Sequence, residues 1–243
     1  MATIYDVAAY AGVSPKTVSR VINGDAPVSD KTRAKVETAI AALGYIPSSA
    51  ARVMRSNRSG LIGLITGAIS RTGEYGGVHG LPDMFLIKGI QQKIREAGKT
   101  LMIADTDNRY EQIDPLVRTF MEHRAEGILY VTESHREIVL PEMPNRCPMV
   151  LVNCFDAAGT PSVLPDDERG QYDLVRNIIR HGHRRIAYIT LQAGAEATRL
   201  RLAGYRRALD ESDMVFDPDL VQTGITDFAN GSEPLIAAVL KLL

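Results

Sequence analysis

Apolar residues recur at helical spacing in three short stretches near the amino terminus. Ile4, Val7, Ala8 and Ala11 mark the first. Thr3, with Asp6 three positions later, resembles a capping box in which Asp replaces the usual Glu or Gln. Gly12-Val13 breaks the pattern. Ser14 is a good N-cap for the second helix, and Pro15 takes the first helical position, where its missing N–H costs nothing. Val18, Val21 and Ile22 form that helix's inward face, which stops at Asn23-Gly24. Ser29 caps a third helix with the stripe Val36, Ala39, Ile40 and Leu43, closed by Gly44.

Two short helices around a tight glycine turn, with a third closing the core, follow the helix-turn-helix plan. That plan lays the second helix in a DNA major groove with its N-terminal residues at the base edges. Here those residues are Pro15, Lys16 and Arg20. Lys16 and Arg20 point outward by periodicity. Alone they read as solvated surface charges; on this helix they become candidates for base and phosphate contact. Tyr45-Ile46-Pro47 is an extended connector, and Ser48 to Arg55 carries a cap, good helix formers and two arginines. That stretch is too short to persist alone as a helix, so it is expected to become helical on DNA. Met54 near its end is either an ordinary packing residue or a wedge for the minor groove.

Beyond residue 60 the period changes. Apolar runs at Leu61–Thr66, Thr100–Ala104, Gly127–Val131, Met149–Asn153 and Ile186–Thr190 read as strands. Between them lie helical patterns, one on Ile87, Ile90, Ile94 and Ala97, another on Ile113, Leu116, Val117, Phe120 and Met121. Such alternation predicts parallel sheets with helices on both faces. Ligands in these folds sit beyond the carboxyl ends of the strands. The strand-end candidates are Thr66, Asp105, Thr132 and Asn153.

Charge sharpens this division. Residues 1–60 carry eight Lys/Arg against four Asp/Glu, whereas the remainder carries 20 against 25. A basic head on an acidic body suggests that only the head meets a polyanion. Cys147 and Cys154 lack metal-ligand spacing and read as small apolar side chains in a reducing compartment. The N-terminus lacks a signal-peptide pattern and no apolar run is long enough for a membrane span, so a cytoplasmic protein is expected.

Enzyme signatures fail on inspection. Gly60, Gly63 and Gly67 do not form a dinucleotide fingerprint. Gly98-Lys99-Thr100 follows a helical pattern and has Lys93 where a phosphate loop needs glycine. His181-Gly182-His183 is a weak metal candidate, and Asp166-Asp167-Glu168 reads as a solvated turn and helix N-terminus. No catalytic residue, metal site or cofactor is expected. A solute-binding protein without a DNA role is the alternative, since its fold would suit residues 61 onward.

The run Thr3-Ile4-Tyr5-Asp6-Val7-Ala8, Gly12-Val13-Ser14 and Thr17-Val18-Ser19-Arg20-Val21-Ile22-Asn23 closely resembles the headpiece of the LacI/GalR (lactose-repressor/purine-repressor) family of bacterial regulators. Arg33, Ile40, Leu43-Gly44-Tyr45 and Pro47 continue the match, and Ala51-Arg52 resemble the family's hinge helix. Downstream, Val163, Asp166-Asp167, Gly170, Gly182–Ile189 and Arg199–Tyr205 resemble its sensing domain. The resemblance implies a nucleoid-associated repressor that binds a near-palindromic operator as a homodimer and answers to a small effector, a sugar or related metabolite. It implies a helix-turn-helix domain at 1–46, a hinge at 47–58, and a periplasmic-binding-protein-like α/β domain. That domain has two lobes, 59–160 and 161–243, the second of them incomplete.

The implied DNA-contacting set is Thr3, Ser14, Pro15, Lys16, Thr17, Ser19, Arg20, Asn23, Arg33, Tyr45, Ala51 and Met54. Met54 stands where the family places its minor-groove leucine. The implied effector set is Thr66, Asn153, Arg201 and Phe228. Asn153 stands where sugar-responsive members often have Asp. Arg201 matches an effector-holding arginine in the first turns of a helix, where a cation opposes the helix dipole; a surface ion pair is the other reading. The glycine-rich loop from Gly67 to Pro82 departs from the family, and the chain stops at Leu243, well before the family pattern does.

Overall fold

The computed structural model describes residues 2–24, 27–47, 58–67, 81–107, 109–141, 147–191, 193–224 and 233–242. Residues Met1–Ser59 and Gly60–Leu243 form two compact units. In the first, helices α1 (Ile4–Ala11), α2 (Pro15–Asn23) and α3 (Asp30–Leu43) surround a core of Val7, Ala8, Val18, Val21, Val36 and Ala39. Each helix opens on the cap its sequence predicts. Thr3 and Asp6 complete a reciprocal capping box, and the Ser14 and Ser29 hydroxyls accept from the Thr17 and Thr32 N–H groups. Gly12, at φ 64°, makes the tight turn between α1 and α2 in a left-handed conformation that a side chain would strain.

The second unit holds strands β1 (Leu61–Thr66), β2 (Thr100–Asp105), β3 (Ile128–Glu137), β4 (Met149–Phe155) and β5 (Ser162–Val163) in one sheet, ordered β2-β1-β3-β4-β5. Every pairing is parallel. Alternation along β1 sends Ile65 to one face and Leu64 to the other. Ile65 packs with Phe120 of α5 (Ile113–Glu122), and Leu64 with Ile87 of α4 (Leu81–Glu96). Helices thus seal both faces, which accounts for strands that read as continuous apolar runs. Because β2 and β3 lie on opposite sides of β1, the chain reverses direction there, and the carboxyl ends of β1 and β3 border a crevice.

Helices α6 (Asp167–Arg180) and α7 (Glu196–Asp210) pack together beside a second sheet, formed by β6 (Tyr188–Thr190) paired in parallel with β7 (Val221–Thr223). Helix α8 (Glu233–Leu242) lies against this pair. The buried Tyr205 ring stacks on Tyr188 at 5.6 Å, and its hydroxyl donates to the Ile186 carbonyl at 2.9 Å.

One strand departs from its expected length. The apolar run ended at Val131, yet β3 continues to Glu137 across an irregularity. Val131 pairs with Val152 and Arg136 with Cys154, so residues 132–135 stand opposite Asn153 alone. Asn153 accommodates this with φ 61°, which asparagine tolerates better than most residues. No helix among the described residues is long and apolar enough to cross a membrane.

Candidate functional site

On the headpiece, the second helix divides cleanly. Val18 and Val21 are buried in the three-helix core, and Lys16 and Arg20 are exposed on the opposite side. Arg20 stands one turn beyond Lys16, so the two share a face. Several neighbours expected to meet DNA also serve the local fold. The Thr3 hydroxyl donates to Asp6 at 2.7 Å, Ser14 and Thr17 exchange a hydroxyl bond at 2.9 Å, and Asn23 Nδ2 donates to the Ser19 carbonyl at 2.7 Å. Pro15 opens α2, Arg33 is half-buried, and Tyr45 packs against the headpiece core. Ala51 and Met54 lie outside the described residues.

In the second unit, the carboxyl ends of β1, β2 and β3 enclose a cavity of 290 Å³. Thr106, Arg109, Tyr110, Tyr130, Thr132 and Arg136 contribute to its lining. It lies where the sheet's change of direction predicts a ligand site. Burial pushes the Tyr130 phenol above its ordinary value, so it stays a neutral hydrogen-bonding group. Thr66 is buried at the end of β1, next to the lining residue Gly67. Asp105 turns inward on its own chain and accepts from the Asp107 N–H at 2.7 Å.

Asn153 and Thr132 lock each other. Asn153 Nδ2 donates to the Thr132 carbonyl at 3.0 Å, and the Thr132 hydroxyl reaches the Asn153 carbonyl at 2.9 Å. The irregular stretch of β3 is held in shape by these bonds, as bulges beside functional sites often are. Asn153, a candidate effector residue, thus also supports the cavity wall through its amide.

The same irregular stretch presents His135, whose Nδ1 lies 2.8 Å from Asp167 Oδ2. Arg201 Nε donates to the other Asp167 oxygen at 2.6 Å. The Asp167 side chain is 3% exposed and that of His135 is 5%. This corrects the reading of Asp166-Asp167-Glu168 as a solvated turn. Asp166 caps α6 as a helix-start residue should, whereas Asp167 is buried because a guanidinium and an imidazole close over it. Residue type signalled nothing here; the β3 irregularity, invisible in the apolar pattern, brings His135 to the carboxylate. Arg201, 40% exposed, therefore has an internal partner and keeps both Nη groups without a bond among the described residues. Phe228 and most of the Gly67–Pro82 loop lie outside the described residues. Among the described residues, no group of three His, Cys, Asp or Glu side chains is placed to hold a metal ion.

Residues 3–48 match the bacterial regulatory proteins of the lacI family, and residues 84–242 match the periplasmic binding proteins and sugar binding domain of the LacI family. The chain is 34% identical over 240 residues to the ribose operon repressor of Escherichia coli (strain K12), a match spanning 97% of this chain and 69% of that protein. A structure of the lac repressor dimer bound to operator and the anti-inducer ONPF superposes with a TM-score of 0.65 at 26% identity, covering 88% of this chain and 63% of that one. The transcriptional regulator CelR in complex with cellobiose matches with a TM-score of 0.54 at 29% identity, covering all of this chain and 70% of CelR. Two matches that divide the chain between headpiece and sensing domain, with a relative of this identity along nearly its whole length, leave one conclusion: the chain belongs to the LacI family of bacterial regulatory proteins.

Proposed function

We propose that the chain is a sequence-specific transcriptional repressor that binds a near-palindromic operator as a homodimer in the bacterial cytoplasm. The observation that carries this reading is the exposed Lys16–Arg20 face of a helix whose other side is anchored by Val18 and Val21. Two such helices, one from each protomer, fit successive major grooves, with Arg20 at a guanine edge and Lys16 at the phosphates. Residues 1–46 form the reading head, 47–58 the hinge, and the two sheets the lobes of a sensing domain at 59–160 and 161–243.

The effector is a neutral, oxygen-rich metabolite of sugar size. The cavity at the strand ends offers the hydroxyls of Thr106, Tyr110, Tyr130 and Thr132, and its guanidinium groups, Arg109 and Arg136, are matched by the carboxylates of Glu133 and Glu137. The sugar in the CelR complex is consistent with that class.

Selection of duplexes bound from a random DNA pool, at low and moderate salt, tests the reading. Enrichment of a near-palindrome, with log affinity falling against log salt by about 0.9 per phosphate contact, is expected. Failure to retain any DNA would favour a solute-binding protein instead; retention without enrichment would remove the sequence-reading role.

A further inference from the structure

The His135–Asp167–Arg201 cluster joins parts of the chain that belong to different sheets. His135 stands on β3 of the five-stranded sheet, whereas Asp167 opens α6 and Arg201 lies on α7, beside the β6–β7 pair. Asp167 divides its two oxygens between them, one for Arg201 Nε and one for His135 Nδ1. Phe155 at the end of β4 meets the His135 ring edge-on at 5.9 Å. Glu196 on α7 and Tyr188 on β6 lie near the same cluster. Every element at this junction contributes a polar or aromatic group.

A buried ionic cluster is a poor source of net stability, because desolvation offsets most of its attraction. Its geometry is instead all-or-none: opening the junction solvates the buried Asp167 and His135 together and releases the half-exposed Arg201 from its carboxylate. Thr198 adds a bias. One turn before Arg201 on α7, its hydroxyl is buried with no partner among the described residues, a cost that opening would relieve. The closed junction is therefore held by a few strong bonds over an opposing cost, as a two-state element requires.

We propose that His135, Asp167 and Arg201 form a latch between the five-stranded sheet and the α6–α7 pair, with Asp167 the positioning residue that aims Arg201. The latch stands on this geometry alone; the use of the aimed Nη groups by an effector rests on the function proposed above. Through Nε alone, Asp167 fixes the guanidinium plane and leaves both Nη groups for a ligand. A ligand that engages Arg201 then acts on the same side chain that holds the two halves together.

The test is amide hydrogen exchange on the full chain, without DNA or ligand, comparing Asp167→Asn and His135→Gln with the unaltered protein. Asp167→Asn should speed exchange about tenfold at the Ile138 and Gly170 amides, which donate to Phe155 and Asp166, and leave β1 and β2 unchanged. His135→Gln supplies an amide donor for Asp167 and should preserve most of that protection. A uniform rise across the sheet would make the cluster an ordinary core contact, and no rise would show that it is already solvated; either result overturns the latch. If Asp167→Asn does not fold, His135→Phe keeps the ring against Phe155, removes only the Asp167 contact, and must give the same local pattern. The Arg201 Nε–H resonance, assigned by its loss in Arg201→Lys, should be slow to exchange in the unaltered protein. In Asp167→Asn, or in His135→Phe should that variant replace it, the resonance should become fast to exchange; an unmoved resonance would remove the positioning role. Neither DNA nor effector enters these measurements, so failure of the latch and failure of the repressor reading are separate outcomes.

Discussion

A methyl group on Gly204 would sit 2.1 Å from the carbonyl oxygen of Glu168, so α6 and α7 meet backbone to backbone at this residue. Two effects oppose each other in Gly204→Ala. Helix propensity favours alanine by about 1 kcal/mol, whereas forcing two packed helices apart costs about 3 kcal/mol, the upper range for overpacking. The clash is with backbone and no side chain can swing away from it. The variant should therefore lose about 2 kcal/mol net, read as a lower urea midpoint of the full chain. A midpoint equal to or above that of the unaltered protein would refute the close approach.

The Arg20 side chain is exposed on α2 and makes no bond among the described residues, while its carbonyl, which accepts from the Gly24 N–H, is kept in any substitution, so Arg20→Ala should leave folding intact. If Arg20 reads a guanine, the same change weakens operator binding by about 1–3 kcal/mol and relaxes preference at one position of each half-site. Lys16→Ala should instead weaken all sequences alike and flatten the salt slope by about one phosphate contact. Selection of DNA with each variant separates the two roles. An unaltered operator preference in Arg20→Ala would remove the base-reading assignment.

The start of α1 gives a pH-dependent prediction. The Asp6 carboxyl is held below its ordinary value, first by the Thr3 hydroxyl and then by the Thr3 N–H, both of which donate to it. A depressed carboxylate stabilises the fold fully above the unfolded value and loses that contribution as pH falls through the folded one. Headpiece helicity should thus decline as pH drops below the ordinary aspartate range, about 4, and Asp6→Asn should flatten that step. Circular dichroism of both proteins across this window decides it; identical profiles would mean that the capping box contributes nothing.

The headpiece was legible because each of its signals is local. Caps at Thr3, Ser14 and Ser29, the Gly12 turn and the apolar stripe all act within a few residues, and the three helices follow them. The sheet was legible in part for a related reason: strands buried on both faces are continuous apolar runs. What escaped the pattern is polar and long-range. Nothing near Asp167 in the chain distinguishes it from Asp166, yet one caps a helix and the other binds His135, 32 residues away, and Arg201, 34 residues away. The extension of β3 was missed because residues 132–137 are all polar and end the apolar run on which the reading relied. The short strands β5 and β7 carry too few residues to establish a period.

Asn153 joins a backbone requirement to a side-chain one, and substitutions there separate the two. Its φ of 61° favours glycine, asparagine or aspartate, and its Nδ2 donates to the Thr132 carbonyl. Asn153→Gly keeps the backbone and loses one hydrogen bond, a cost of about 1 kcal/mol. Asn153→Val loses the bond and adds left-handed strain of about 1–2 kcal/mol, so it should fall further. Asn153→Asp tests the side chain: its backbone is tolerated, but a carboxylate would face the Thr132 carbonyl oxygen with no proton to offer. Thermal melts should rank the variants with glycine mildest and both valine and aspartate below it. An aspartate variant as stable as the unaltered protein would mean that the amide does not hold Thr132. A valine variant as stable as the glycine one would mean that the strand does not need the left-handed turn.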